Sequence, residues 1–255
     1  MADAASNRRD ILWGMKRTER HHLKENELAA LAISARDAVD ARRRELGLVA
    51  ILLLVVVAAA VGYLTWRGRV EGQAGAMLAE AATIEAARVG PPPADGTPAV
   101  GLSFPTEREK YEAALAKFKA VADQYPSTDA GAFARYREGA LLMALGRAPE
   151  AAAVYQLVID RAGGDIHGQM ARLGLAEAQA RSGKFDDAIA TFKGLAETPD
   201  GLLPLDGILM QLGRTYREAG KTVEAQQTFN RVVEEFPDSP FNSEAQRELE
   251  TLKKT

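Results

Sequence analysis

The stretch Leu212-Gly213-Arg214-Thr215-Tyr216-Arg217-Glu218-Ala219-Gly220-Lys221-Thr222-Val223-Glu224-Ala225-Gln226-Gln227-Thr228-Phe229 decides the fold, because its landmarks recur upstream at one interval. Ala225 is preceded by Ala188, Ala151 and Ala114, each 37 residues apart, and Phe229 by Phe192, Tyr155 and Phe118 at the same spacing. Gly146, Gly183 and Gly220 keep it too. A fixed period of this length marks a stacked repeat, so it governs the reading of everything else.

The physical reading is a stack of helical hairpins. Each glycine ends a first helix, where a left-handed C-cap favours a residue without Cβ. Each alanine near the start of the second helix is small enough to let two backbones approach, and the aromatic four residues later shares its face. Pro126 and Pro237 stop second helices. The packing set is therefore Ala114, Phe118, Gly146, Ala151, Tyr155, Gly183, Ala188, Phe192, Gly213, Tyr216, Gly220, Ala225 and Phe229.

These residues resemble the tetratricopeptide repeat family. Leu212-Gly213, Tyr216, Gly220, Ala225, Phe229 and Pro237 fall in its order; Gly139, Gly146, Ala151 and Tyr155, then Ala176, Gly183, Phe185, Ala188 and Phe192, repeat it in part. The resemblance implies an all-α, right-handed solenoid. Against the family's usual period of roughly 34 residues, the extra length falls between hairpins, near Gly163-Gly164-Asp165 and Thr198-Pro199-Asp200-Gly201. The first unit is irregular. Its helix around Met77 to Val89 meets the Pro-rich loop Gly90–Pro98, and the second helix resumes near Thr106. A last amphipathic helix, Ser239 to about Lys253, is expected to cap the stack.

Leu46 to Trp66 carries 21 residues without a charge, fenced by Glu45 and Arg67. As a helix it is about 31 Å long, enough for one membrane crossing. Arg36, Arg42, Arg43 and Arg44 precede it, whereas only Arg67 and Arg69 follow closely. The positive-inside rule then puts the N-terminus in the cytoplasm. The long segment ahead of the apolar stretch favours an uncleaved anchor over a signal peptide. The expected organisation is a cytoplasmic segment 1–45, a transmembrane helix 46–66, and an extracytoplasmic domain 67–255 of about four hairpins plus the cap.

Other function classes find little support. With 32 Lys+Arg against 35 Asp+Glu, the chain lacks the basic footprint of a nucleic-acid binder. There is no cysteine, and adjacent His21 and His22 point about 100° apart on a helix, so no metal site is expected. Neither a phosphate-binding Gly-rich loop nor a nucleophile elbow occurs, so no catalytic residue, cofactor or small-molecule substrate is expected.

Basic segment, single span and repeats together, with the run Arg17-Thr18-Glu19-Arg20-His21-His22-Leu23-Lys24-Glu25-Asn26-Glu27-Leu28-Ala29, resemble the bacterial YfgM family of inner-membrane ancillary subunits of the Sec translocon. That resemblance implies periplasmic, chaperone-like work, with translocon subunits and exported chains as partners. The alternative is an adaptor in envelope assembly or cell division with one fixed partner.

Projected from the aligned positions, the protein-binding groove is lined by the first helices through Phe133, Tyr136, Met143, Met170, Leu173, Glu177, Arg181, Met210, Arg214 and Arg217. Methionines and aromatics there suit adaptable contacts. The matched Lys, Asn and Arg set of a carboxylate clamp is not found.

Overall fold

The computed structural model describes residues 43–90, 101–162, 164–198 and 201–254. The segment expected to be cytoplasmic, apart from its last residues, lies outside these, as do most of the Pro-rich loop and Gly163, Pro199 and Asp200. The chain divides into two compact units, Met1–Trp66 and Arg67–Thr255.

In the first unit the described residues belong to α1 (Arg43–Glu85). From Leu48 to Trp66 its large apolar side chains are exposed, Leu54 at 70%. Among the described residues, one helix is long and apolar enough to cross a membrane. Near the end of that stretch the Tyr63 and Trp66 ring centroids lie 6.1 Å apart. Thr65 Oγ1 donates back to the carbonyls of Val61 and Gly62, so its hydroxyl is satisfied within the helix.

The second unit holds the rest of α1, then β1 (Arg88–Val89) and β2 (Ser103–Phe104), followed by α2 (Glu107–Gln124), α3 (Asp129–Ala144), α4 (Ala148–Ala162), α5 (Ile166–Arg181), α6 (Phe185–Ala196), α7 (Leu205–Glu218), α8 (Thr222–Glu235) and α9 (Asn242–Leu252). Three second helices (α4, α6, α8) follow three first helices (α3, α5, α7). α2 is the second helix of the opening unit. Three turns carry the expected glycine at φ 76° (Gly146), 74° (Gly183) and 73° (Gly220). In each, the residue after the glycine donates back to the helix: Arg147 N to Leu142 O, Lys184 N to Gln179 O, and Lys221 N to Tyr216 O. This is a Schellman cap, which satisfies carbonyls that the helix end would orphan.

The core runs through the repeat as four clusters, each drawing on consecutive hairpins. Ala114, Ala151, Ala188 and Ala225 are fully buried, and Phe118, Tyr155, Phe192 and Phe229 are nearly so. Phe229 packs on Gly213 so closely that a Cβ there would lie 2.5 Å from the ring. Tyr155 packs likewise on Gly139, where the distance would be 2.7 Å. Small residues on the first helix thus make the cavity that the aromatic fills.

Three expectations need correction. The chain is not wholly α: Arg88 and Val89 pair in parallel with Ser103 and Phe104. This pins the two ends of the Pro-rich insertion, and it takes Val89 out of the helix, which stops at Glu85. The second helix does begin after Thr106, whose side chain accepts from the Glu109 amide. The cap α9 starts at Asn242 rather than Ser239. Ser239 Oγ instead accepts from the Phe241 amide and donates to Asp206, forming a turn that stitches the loop to α7.

Candidate protein-binding face

The ten residues projected onto the groove lie on α3, α5 and α7, the first helices of three successive hairpins. Phe133 is 40% exposed and Arg181 is exposed; Tyr136, Met170, Leu173, Glu177, Arg214 and Arg217 are half-buried. Two belong to the core instead. Met143 is 8% exposed and packs among Leu142, Ala148, Tyr155, Ala171 and Ala178. Met210, at 1%, sits with Leu209, Phe229, Ala245 and Leu252. The physical reason is the same for both: the following first helix, α5 for Met143 and α9 for Met210, lies over them. Neither can offer an adaptable surface contact.

Ion pairs tie first helices together at both ends of the row. Arg137 of α3 pairs with Glu85 of α1. At the other end Arg214 reaches Glu244 at 2.5 Å and Arg217 reaches Glu248 at 2.5 Å, both on α9. These arginines therefore hold the cap. Arg214 also donates to Gln211 at 3.1 Å.

The middle is built differently. A hollow of about 250 Å³ opens between α5 and α7, lined by Glu177, Arg181, Gln211, Arg214 and Glu218 over a floor that includes Phe192. Glu177 makes no hydrogen bond or ion pair with a described residue. Its carboxyl pKa is raised by burial, against the opposing pull of the Arg181 and Arg214 charges. The Tyr136 and Tyr155 rings are tilted at 52° with centroids 5.8 Å apart. Burial pushes both phenols up, and for each the nearby Glu177 carboxylate adds to the rise.

Two contributors escaped the sequence reading. Tyr155 packs in the core as its spacing predicts, and its phenol end also lies near Glu177. Gly174 stands where the 37-residue register puts Arg137 and Gln211 in the neighbouring units. A Cβ on Gly174 would meet Tyr155 Cζ at 2.5 Å. The signal was available as a tyrosine among phenylalanines and a glycine among long polar residues.

A larger hollow, about 560 Å³, lies elsewhere, between the α2–α3 turn and α4, and is lined by Pro126, Ala132, Leu157, Val158 and Arg161 among others. Arg161 bridges it by donating to the Pro126 carbonyl at 2.5 Å. Among the described residues no group of His, Cys, Asp and Glu could hold a metal ion.

Solved structures with this arrangement include two crystal structures of the nearly identical TPR-like repeats of a putative kinesin light chain from Podosopora anserina. They are 18% and 17% identical, each at a TM-score of 0.50 over 58% of this chain and 79% and 80% of theirs. At that identity the likeness is one of fold. A search of curated proteins finds no significant match. The sequence profile of the tetratricopeptide repeat-like domain matches residues 45–253, beginning just ahead of the apolar stretch and ending at the cap. The chain belongs to the tetratricopeptide repeat-like domain family.

Proposed function

We propose that the protein is a membrane-anchored scaffold whose first-helix face binds other proteins, acting as an accessory to the Sec export machinery on the periplasmic side of a bacterial inner membrane. The family is one of non-catalytic protein-interaction scaffolds, which supports the binding role. One observation carries the rest: an exposed apolar run of membrane-crossing length precedes a helical repeat whose middle first helices line an open polar hollow. An exposed face of that length in water would cost far more than a folded domain has to spare. A bilayer removes the cost. Close to the run, Arg36, Arg42, Arg43 and Arg44 precede it and only Arg67 and Arg69 follow, which supports a cytoplasmic N-terminus and an extracytoplasmic repeat domain.

The adaptor reading gains from one finding. Burial of Met143 and Met210 removes two of the three methionines expected to give the face its adaptability, leaving Met170. A polar, geometrically fixed centre suits one partner better than many clients. In-membrane crosslinking of the full chain separates the two. Translocon subunits together with varied exported chains support the export role; one envelope protein at equal ratio, without translocon, replaces it with the adaptor.

A further inference from the structure

The face just described has one acidic residue that the fold does not use. Glu85, Glu244 and Glu248 each pair with an arginine on a neighbouring first helix. Glu138, also on α3, is held by Arg135 at 2.6 Å. Glu177 is half-buried and paired with nothing described, although leaving a carboxylate in such a position costs stability unless a partner arrives.

Its surroundings are specific. Tyr155 rises between α3 and α5 against both Gly139 and Gly174, with would-be Cβ distances of 2.7 and 2.5 Å. Tyr136 stands one turn before Gly139 on α3, and Glu177 one turn after Gly174 on α5, so both border the phenol end of Tyr155. Only in this unit does the repeat carry a hydroxyl on the buried aromatic; Phe118, Phe192 and Phe229 occupy the other three positions. The Tyr155 hydroxyl makes no hydrogen bond with a described residue. No sealed side-chain polar atom among the described residues lacks a partner, so that oxygen is not fully closed off from solvent. Arg214 is engaged by Glu244 and Gln211, which leaves Arg181, exposed at the rim, as the local positive charge.

On the reading of this face as protein-binding, we propose that its centre is a subsite for a cationic side chain of the bound polypeptide. The Glu177 carboxylate takes the lysine ammonium or arginine guanidinium, and the Tyr136 ring with the Tyr155 hydroxyl forms its wall. Charge complementarity selects this occupant: a carboxylate beside the half-buried Tyr136 ring attracts a cation from both components.

The test uses the full chain in detergent and short fluorescein-labelled peptides of one leucine-flanked sequence, with Lys, N-acetyl-lysine or Glu at the centre. By anisotropy the Lys peptide should bind roughly ten-fold tighter than the acetyl-lysine peptide. That advantage should vanish in Glu177→Gln and shrink in Tyr155→Phe. The wild-type comparison needs no variant, so a misfolded mutant does not leave the matter open. Equal binding of the Lys and acetyl-lysine peptides, or preference for Glu, overturns the cation subsite and leaves the protein-binding face standing. Failure of all three peptides to bind overturns both.

Discussion

Tyr155 of α4 occupies the space that a side chain at residue 174 of α5 would need: its Cζ lies 2.5 Å from where the first carbon of that side chain would be. The two residues belong to consecutive hairpins, so the contact joins one repeat to the next. Gly174→Ala should therefore destabilise the repeat domain by about 1–3 kcal/mol through overpacking. A denaturant midpoint that does not move would show that the ring has freedom to swing aside.

Glu177 gives a pH prediction. Burial raises its folded-state carboxyl pKa above the ordinary 4.5, so the folded state holds the proton more tightly than the unfolded chain. Its contribution to stability is present below pH 4.5 and is lost as pH rises through the folded value. Glu177→Gln cannot lose a proton there and should melt higher than wild type at neutral pH, with the gap closing in acid. Melting curves of both proteins across that range check it; a gap independent of pH counts against the assignment.

Replacing Ala188 or Ala225 with Glu puts a charge where no exposed surface remains. Apolar side chains surround both positions, so the loss should exceed about 3 kcal/mol and unfold the affected hairpins. Circular dichroism on heating reads this directly, and an unchanged transition would refute the packing register.

The cap depends on Arg214–Glu244 and Arg217–Glu248. A double-mutant cycle on Arg217 and Glu248 should return a coupling of about 0.2–1 kcal/mol that weakens with added salt, as befits a partly exposed pair. No coupling at low ionic strength would mean that apolar packing of Leu252 and Ala245 alone holds α9.

The repeat was legible because its signals are local and recur. A glycine needs positive φ wherever a first helix turns back, and an alanine must stay small wherever two helices touch, so each leaves a mark at a fixed interval. Boundaries were harder. Val89 reads as helix by pattern, but its pairing with Phe104 is decided fifteen residues on. Met143 and Met210 lie on the first-helix stripe, and only the neighbouring helix determines that they are covered. A single hairpin's sequence cannot report what the next hairpin shields. The packing role of Tyr155 was plain in the repeat, and the structure buries it there; that its ring stands near Glu177 depends on the next hairpin.

From α2 onward, the substantial helix–helix contacts run between consecutive helices, with lighter ones from α3 to α5 and from α5 to α7. Among the described residues no strand or helix returns to close the row into a ring. Amide exchange should accordingly run as a gradient rather than as a single cooperative event, with α9 and α8 opening before α5. The same linearity makes length adjustable: a further segment of the same period joined after Gly220 would meet the surfaces it expects on both sides. Such an array is extended by copying, and worn away from its ends.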